Sequence, residues 1–147
     1  MTRATVDLPV GYRIPIPRFH LDRENIARFH YVLHHMETGE DRPGKNIHTD
    51  YEFARGRGLP DVMADGSQTV AEISRVLTRF FGEGFLRDGK LVTKFIKPVF
   101  PDYTLDITLE VKERVETGES VRYEMDISCA NRHGLLVIVG RVTAWAR

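Results

Sequence analysis

Histidines are the residues in this sequence whose type and spacing most directly suggest chemistry. His30 and His34 lie four positions apart, and His35 follows directly. Side chains at i and i+4 share one face of a helix, and two imidazoles on one face can bind a metal ion. However, no carboxylate or cysteine stands at a matching spacing to complete such a site. We therefore interpret these three as structural or surface histidines, and we expect neither a metal nor a cofactor.

A further histidine, His48, stands in the polar segment 46–50, which reads Asn-Ile-His-Thr-Asp. On its own it is explained as a polar residue that ends a loop, although an imidazole can also transfer protons near neutral pH. Glu40 and Asp41 precede it and Asp65 follows it. The first two are explained equally well as solvated loop acids, and the third as a carboxylate stabilised by a helix dipole. The residues alone leave these alternatives open.

The composition is typical of one folded domain, and the charge pattern does not favour a nucleic-acid role. Of the 147 residues, 41% are hydrophobic and 29% are charged, close to the average for globular proteins. We expect a single domain over residues 1–147. The 21 basic and 21 acidic side chains cancel, and no concentrated stripe of Lys and Arg suits binding to a phosphate backbone.

The location of the protein is predicted to be cytoplasmic. A single cysteine, Cys129, cannot form an internal disulfide, and the segment Met1 to Val10 lacks the basic and apolar regions of a secretory signal. No apolar run approaches the roughly 20 residues that a membrane helix needs. We therefore expect no membrane span.

Two helices are predicted in the first half of the chain. Asp22 is a good N-cap, and an apolar stripe follows it up to about His35. This stripe consists of Ile26, Phe29, His30 and Leu33. Thr49 and Glu52 have the spacing of a capping box, which predicts a short helix from Thr49 through Arg55.

The strongest helical pattern follows Pro60. It begins near Ser67 or Thr69, ends at Gly82, and carries the heavy apolar face Val70, Ile73, Leu77, Phe80 and Phe81. Beyond Gly89 the period changes to two, which predicts four strands: 91–100, 105–111, 121–129 and 135–146. A short strand near Tyr12 to Ile14 adds a fifth. A sheet with one apolar face has to be covered, so we predict an α+β layer with the long helix against an antiparallel sheet.

Two segments carry a resemblance to a known family. Residues 46–50, followed by Glu-Phe-Ala-Arg at 52–55, are similar to the Asp-x-Asn-Pro-Ile-His motif of the MaoC-like dehydratases, also called (R)-specific enoyl-CoA hydratases. Residues 98–105, Pro-Val-Phe-Pro-Asp-Tyr-Thr-Leu, resemble that family's Pro-Val-Phe-Pro-Gly-Asp-Thr-Leu segment. With the helices between and before them, the resemblance covers nearly the whole chain.

The resemblance implies a fold, an assembly and a reaction. The fold is the hotdog fold, in which an antiparallel sheet of about five strands wraps a long central helix. The assembly is a homodimer or higher oligomer that holds a coenzyme A or carrier-protein thioester at the subunit interface. The reaction is the syn addition of water to an enoyl thioester, or its reversal. In the family an Asp and a His from the motif act as base and acid, and a glycine N–H at the start of the helix holds the thioester oxygen.

Carried over by position, His48 matches the family's catalytic His and Gly66 its oxyanion-hole glycine. The aspartate does not carry over, because its position is occupied by Pro43. A two-residue insertion in the loop would place Glu40 or Asp41 there, and we favour Asp41. Asp65 stands where the family usually has a His, so it is a second carboxylate that could orient or charge the His48 imidazole.

Weaker expectations concern the substrate and two alternative functions. We predict substrate contacts from Asn46, Arg55 and Ser67. A thioesterase on the same fold would instead use a carboxylate such as Asp65 or Glu72 to activate water. A non-catalytic subunit of a heteromeric hydratase is the second alternative, because the family's Asp is missing at its expected position.

Overall fold

The computed structural model of the protein describes residues 7–146. Residues 1–6 lie outside this described part. They belong to the segment Met1 to Val10, for which no secretory signal is predicted. Helix α1 (Arg23–Thr38) begins at the predicted N-cap, where the Asp22 carboxylate accepts a 2.7 Å hydrogen bond from the Asn25 N–H. It runs one turn beyond the predicted end and stops at Gly39, whose left-handed backbone (φ 75°) suits glycine.

The second helix, α2 (Tyr51–Gly56), has its N-cap one residue later than predicted. Its N-cap is Asp50, whose Oδ1 accepts a 3.0 Å hydrogen bond from the Phe53 N–H. The predicted capping box at Thr49 is therefore wrong. The Thr49 hydroxyl accepts a hydrogen bond from the Asn46 side chain instead, and Asp50 is as good a cap as Thr.

The long helix α3 (Gly66–Phe81) confirms the strongest pattern in the sequence, although it begins before the predicted Ser67 or Thr69 and Val70 is only partly buried. Its buried apolar face consists of Ile73, Val76, Leu77, Phe80 and Phe81. Gly82 ends it with a positive φ of 57°, and the short helix α4 (Glu83–Leu86) follows directly. Helix α4 was not predicted from the sequence. It packs so tightly on the sheet that a methyl group at Gly84 would lie 1.8 Å from the Trp145 carbonyl oxygen.

Six antiparallel strands form the sheet. They are β1 (Arg13–Ile14), β2 (Phe19–Leu21), β3 (Lys90–Phe95), β4 (Tyr103–Thr117), β5 (Ser120–Ala130) and β6 (Leu136–Ala146). Their order is β1-β4-β5-β6-β3, with β2 also paired to β4. The turns between β4 and β5 and between β5 and β6 contain Gly118 and Gly134, and both glycines have a positive φ. The three-residue strand β2 was not predicted, because it is too short to show a period.

Strand β3 is shorter than the predicted 91–100. Its pairing with β6 ends at Phe95, because the Ile96 and Lys97 N–H groups both donate to the single Val137 carbonyl and the ladder loses its register. Pro98, which has no N–H to donate, follows outside the strand.

Helix α3 and the sheet share one core, which confirms the α+β hotdog architecture. The alternating inward residues of β4 and β5 bury against the α3 face, and Cys129 is one of them, fully buried as a small apolar side chain. Burial raises the pKa of its thiol to about 12. No helix within residues 7–146 is long and apolar enough to span a membrane.

Candidate active site

The loop before α2 holds His48 through the side chain of Asn46. The Asn46 Oδ1 accepts hydrogen bonds from the N–H groups of His48 (2.8 Å) and Thr49 (2.9 Å). Its Nδ2 donates to the Gly44 carbonyl and the Thr49 hydroxyl, both at 2.8 Å. Both ends of the amide are thus engaged within the loop. Asn46, predicted as a substrate contact, therefore fixes the position of His48.

The imidazole of His48 is oriented by a backbone carbonyl. Its Nδ1 lies 2.6 Å from the Met63 oxygen, and the Met63 N–H donates back to the Ile47 carbonyl at 3.0 Å. A carbonyl can only accept a hydrogen bond, so Nδ1 carries the proton. In the neutral ring the other nitrogen, Nε2, is then left with a free lone pair. The side chain is 19% exposed, and it borders a cleft.

Asp65 faces that free nitrogen. Its Oδ1 lies 3.4 Å from His48 Nε2, and its side chain is 11% exposed. Although Asp65 is the N-cap of α3, its carboxylate accepts no hydrogen bond from the helix N–H groups. The Ala64 N–H donates to the Val99 carbonyl at 2.8 Å, which fixes the preceding backbone against the 98–105 segment. The carboxylate therefore points at imidazoles and does not cap its own helix.

The second imidazole at Asp65 belongs to His30 of α1. Its Nδ1 lies 2.9 Å from Asp65 Oδ2, and its ring centroid lies 4.7 Å from that of His48. No carboxylate stands at a matching spacing in the sequence, and the partner of His30 comes from a distant part of the chain. The helical spacing indicates only that His30 shares the inward face of the buried Ile26, four residues before it, and does not identify its partner.

A cleft of about 520 Å³ extends from this cluster. Gly66 lines it as the first residue of α3, where helix N–H groups have no partner within the helix. Apolar side chains dominate the remaining lining, namely Leu59, Met63, Phe95, Ile96, Val99 and Ile138. The Phe95 ring covers Gly66 so closely that a methyl group there would lie 2.6 Å from the ring carbons. A helix start beside an apolar cleft suits a ligand with one anionic oxygen and an apolar chain.

The structure does not bring the favoured loop carboxylate to His48. Asp41 is 95% exposed and lies 3.4 Å from the His35 Nδ1. Glu40 lies 3.5 Å from the His34 Nε2 and is 73% exposed. Both acids pair with the end of α1, because the loop turns back towards that helix after Gly39.

The remaining predicted residues are dispersed. Ser67 lines the cleft, whereas Arg55 is exposed on α2 and is not part of the lining. Glu72, the alternative carboxylate for a thioesterase, accepts two hydrogen bonds from Arg75, at 2.6 and 2.8 Å. It is not a cleft residue. A larger concavity of about 780 Å³ on the sheet contains none of the candidate residues.

Comparison with known proteins identifies the family. The MaoC like domain family matches residues 44–131, a range that contains His48, Asp65 and Gly66 but not His30. No curated protein matches the sequence.

Three solved structures illustrate the shared fold. The ChsH1-ChsH2 complex from Mycobacterium tuberculosis contains a chain 16% identical, with a TM-score of 0.73 over 95% of this chain and 98% of that one. The R-hydratase PhaJ1 from Pseudomonas aeruginosa is 21% identical, with a TM-score of 0.69 over 92% and 80%. The (R)-hydratase from A. caviae is 16% identical, with a TM-score of 0.68 over 95% and 96%. Because the family match spans more than half of the sequence, the chain belongs to the MaoC-like domain family.

Proposed function

We propose that the protein is an acyl-thioester hydratase or dehydratase, which adds water to an enoyl thioester or removes it from a 3-hydroxyacyl thioester. The observation that carries this proposal is the 3.4 Å approach of Asp65 Oδ1 to His48 Nε2 beside the start of α3. Hydration needs a base for water and a group that stabilises enolate charge, and these two features supply both.

His48 is the proposed proton carrier. In the hydration direction its Nε2 removes a proton from water while the water oxygen bonds to the β-carbon of the enoyl thioester. The electron pair of the carbon–carbon double bond moves into an enolate. The same imidazole then returns the proton to the α-carbon, so that water adds across one face. The Met63 carbonyl keeps Nε2 available by holding the proton on Nδ1.

Asp65 is the proposed carboxylate partner, in place of the family's Asp. It stabilises the imidazolium that forms when His48 accepts the proton, because the two groups are close and largely shielded from solvent. The exposed Asp41 has neither property. His30 acts as a positioning residue, since its hydrogen bond fixes the second oxygen of the Asp65 carboxylate.

The Gly66 N–H is the proposed donor to the thioester oxygen. The dipole of α3 and its unpaired N–H groups favour negative charge at this point, where the enolate develops. The apolar lining of the cleft suits an acyl chain, and its volume of about 520 Å³ is within the usual range for a small-molecule site.

A homodimer or higher oligomer is part of the proposal. Strand β3 lies at one end of the sheet order, and its Val92 and Phe95 are more than half exposed. An edge strand with exposed apolar residues is suited to pairing with a second chain. A non-catalytic role beside a partner chain is the alternative, and activity of the purified lone chain would exclude it.

The test is hydration of crotonyl-CoA and longer enoyl-CoAs by the purified chain, measured as the loss of enoyl absorbance. We expect kcat/KM to fall about 10²–10⁴-fold in His48→Ala, the usual contribution of a positioned acid–base group. The matched control is His35→Ala, a histidine 59% exposed on α1, which should retain activity. Equal rates for wild type and His48→Ala would refute the proposal. Release of free CoA without hydration would favour the thioesterase alternative.

A further inference from the structure

We propose that His30, His48 and Asp65 also form a binding site for a divalent transition-metal ion such as Zn²⁺. One donor atom from each side chain lies within 4.8 Å of the other two. The side chains are only 15%, 19% and 11% exposed, so the donors converge inside the protein and not on its surface. Two imidazoles and one carboxylate are a common ligand set for zinc and for other first-row metals.

Two of the donor separations are near those around a tetrahedral ion, and all three donors lie within 4.8 Å of one another. Zinc bonds of about 2.0–2.1 Å place neighbouring tetrahedral ligands about 3.3 Å apart. His48 Nε2 and Asp65 Oδ1 are separated by 3.4 Å, which needs no rearrangement. His30 Nδ1 and Asp65 Oδ2 are separated by 2.9 Å, so small side-chain rotations open this pair to the required spacing. When Asp65 binds through a single oxygen, the fourth ligand position remains for water or a ligand from the cleft.

The surroundings of His48 support a ligand role. Metal-bound histidines commonly donate their other ring N–H to a carbonyl or carboxylate, which fixes the ring and its tautomer. The 2.6 Å contact from His48 Nδ1 to the Met63 oxygen has this form. For His30 the proton moves from Nδ1 to Nε2 on metal binding, so the ring stays neutral and gains a free lone pair at Nδ1.

The charge of Asp65 also favours a cation. Within residues 7–146, its ion-pair partners are the two histidines and include no Lys or Arg. A largely buried carboxylate without a fixed cation is costly unless a positive charge approaches it. A divalent ion between Oδ1 and His48 Nε2 supplies that charge.

Metal binding has a consequence that rests on the proposed function. The lone pair of His48 Nε2 cannot both bind a metal and accept a proton from water. Zn²⁺ therefore inhibits hydration at this site, and a chelator restores the rate.

The test is titration of the full, chelator-treated chain with Co²⁺, whose visible absorption reports coordination by protein ligands. For wild type we expect one saturable site per chain, with the intense visible bands of Co²⁺ at low coordination number. For His30→Asn we expect those bands to be lost and Co²⁺ to bind at least tenfold more weakly. The matched control is His35→Asn on the same helix, which should bind like wild type. A thermal melt establishes that each variant is folded, and a Co²⁺-dependent rise in melting temperature is a second readout.

Two outcomes overturn the metal site. One is the absence of saturable Co²⁺ binding by wild type at millimolar concentration, and the other is equal binding by wild type and folded His30→Asn. These results leave hydration untouched. Conversely, saturable Co²⁺ binding that His30→Asn abolishes, together with no hydration of enoyl-CoAs by the metal-free chain, refutes the proposed function and keeps the metal site.

Discussion

Replacing Asp65 by Asn distinguishes the two carboxylates that could assist His48. Asn keeps the size of the side chain and removes the charge that faces His48 Nε2 at 3.4 Å. At an effective dielectric constant of about 20, two unit charges at this distance attract by about 5 kcal/mol. Because His48 is 19% exposed, solvent weakens this attraction, and we take about 3–4 kcal/mol as the loss. Each 1.36 kcal/mol is a tenfold change in rate, which gives a fall in kcat of about 10²–10³-fold.

The assay is steady-state hydration of crotonyl-CoA by wild type, Asp65→Asn and Asp41→Asn. The Asp41 variant is the matched control, because its carboxylate is 95% exposed and pairs with His35. We expect its kcat to stay within about twofold of wild type, as for most surface substitutions. The reasoning is refuted if folded Asp65→Asn keeps full activity. If only Asp41→Asn loses activity, the loop carboxylate Asp41 is the partner of His48.

Three further predictions concern stability and reactivity. Asn46→Ala removes the hydrogen bonds that Asn46 Oδ1 accepts from the His48 and Thr49 N–H groups, and it should lower the unfolding free energy in urea by about 1–3 kcal/mol and also lower kcat. An unchanged unfolding midpoint and an unchanged rate would contradict this. Asp22→Ala removes the α1 cap and should cost about 1 kcal/mol in the same experiment, with Glu24→Ala as the exposed control. The Cys129 thiol, fully buried and with its pKa raised to about 12, should react with a disulfide reagent at pH 8 only after denaturation, and rapid labelling of the native chain would contradict its placement.

The regular part of the fold was predictable because it depends on local periodicity. The apolar face of α3 and the alternation in β4 and β5 each bury one side of an element, so the sequence carries the pattern directly. The cap at Asp22 was predictable for the same local reason. The N-cap of α2 was misplaced by one residue, because Thr49 and Asp50 are adjacent and both cap well.

The candidate site was predictable only where its residues are local to a motif. His48 and Gly66 were found by resemblance, and the structure places both at the same cleft. His30 was missed because α1 meets the start of α3 only through tertiary packing, which no spacing in the sequence records. Asp41 was favoured over Asp65 because a loop insertion is simple to propose in sequence, whereas exposure and the contact with His35 are visible only in three dimensions.

The most direct test of the central claim is an experimental structure of the protein with a 3-hydroxyacyl thioester bound. We predict that the substrate hydroxyl lies within hydrogen-bond distance of His48 Nε2 and Asp65, and that the thioester oxygen accepts from the Gly66 N–H. A ligand bound elsewhere, or one whose hydroxyl lies away from His48 while Asp41 contacts it, would contradict the account.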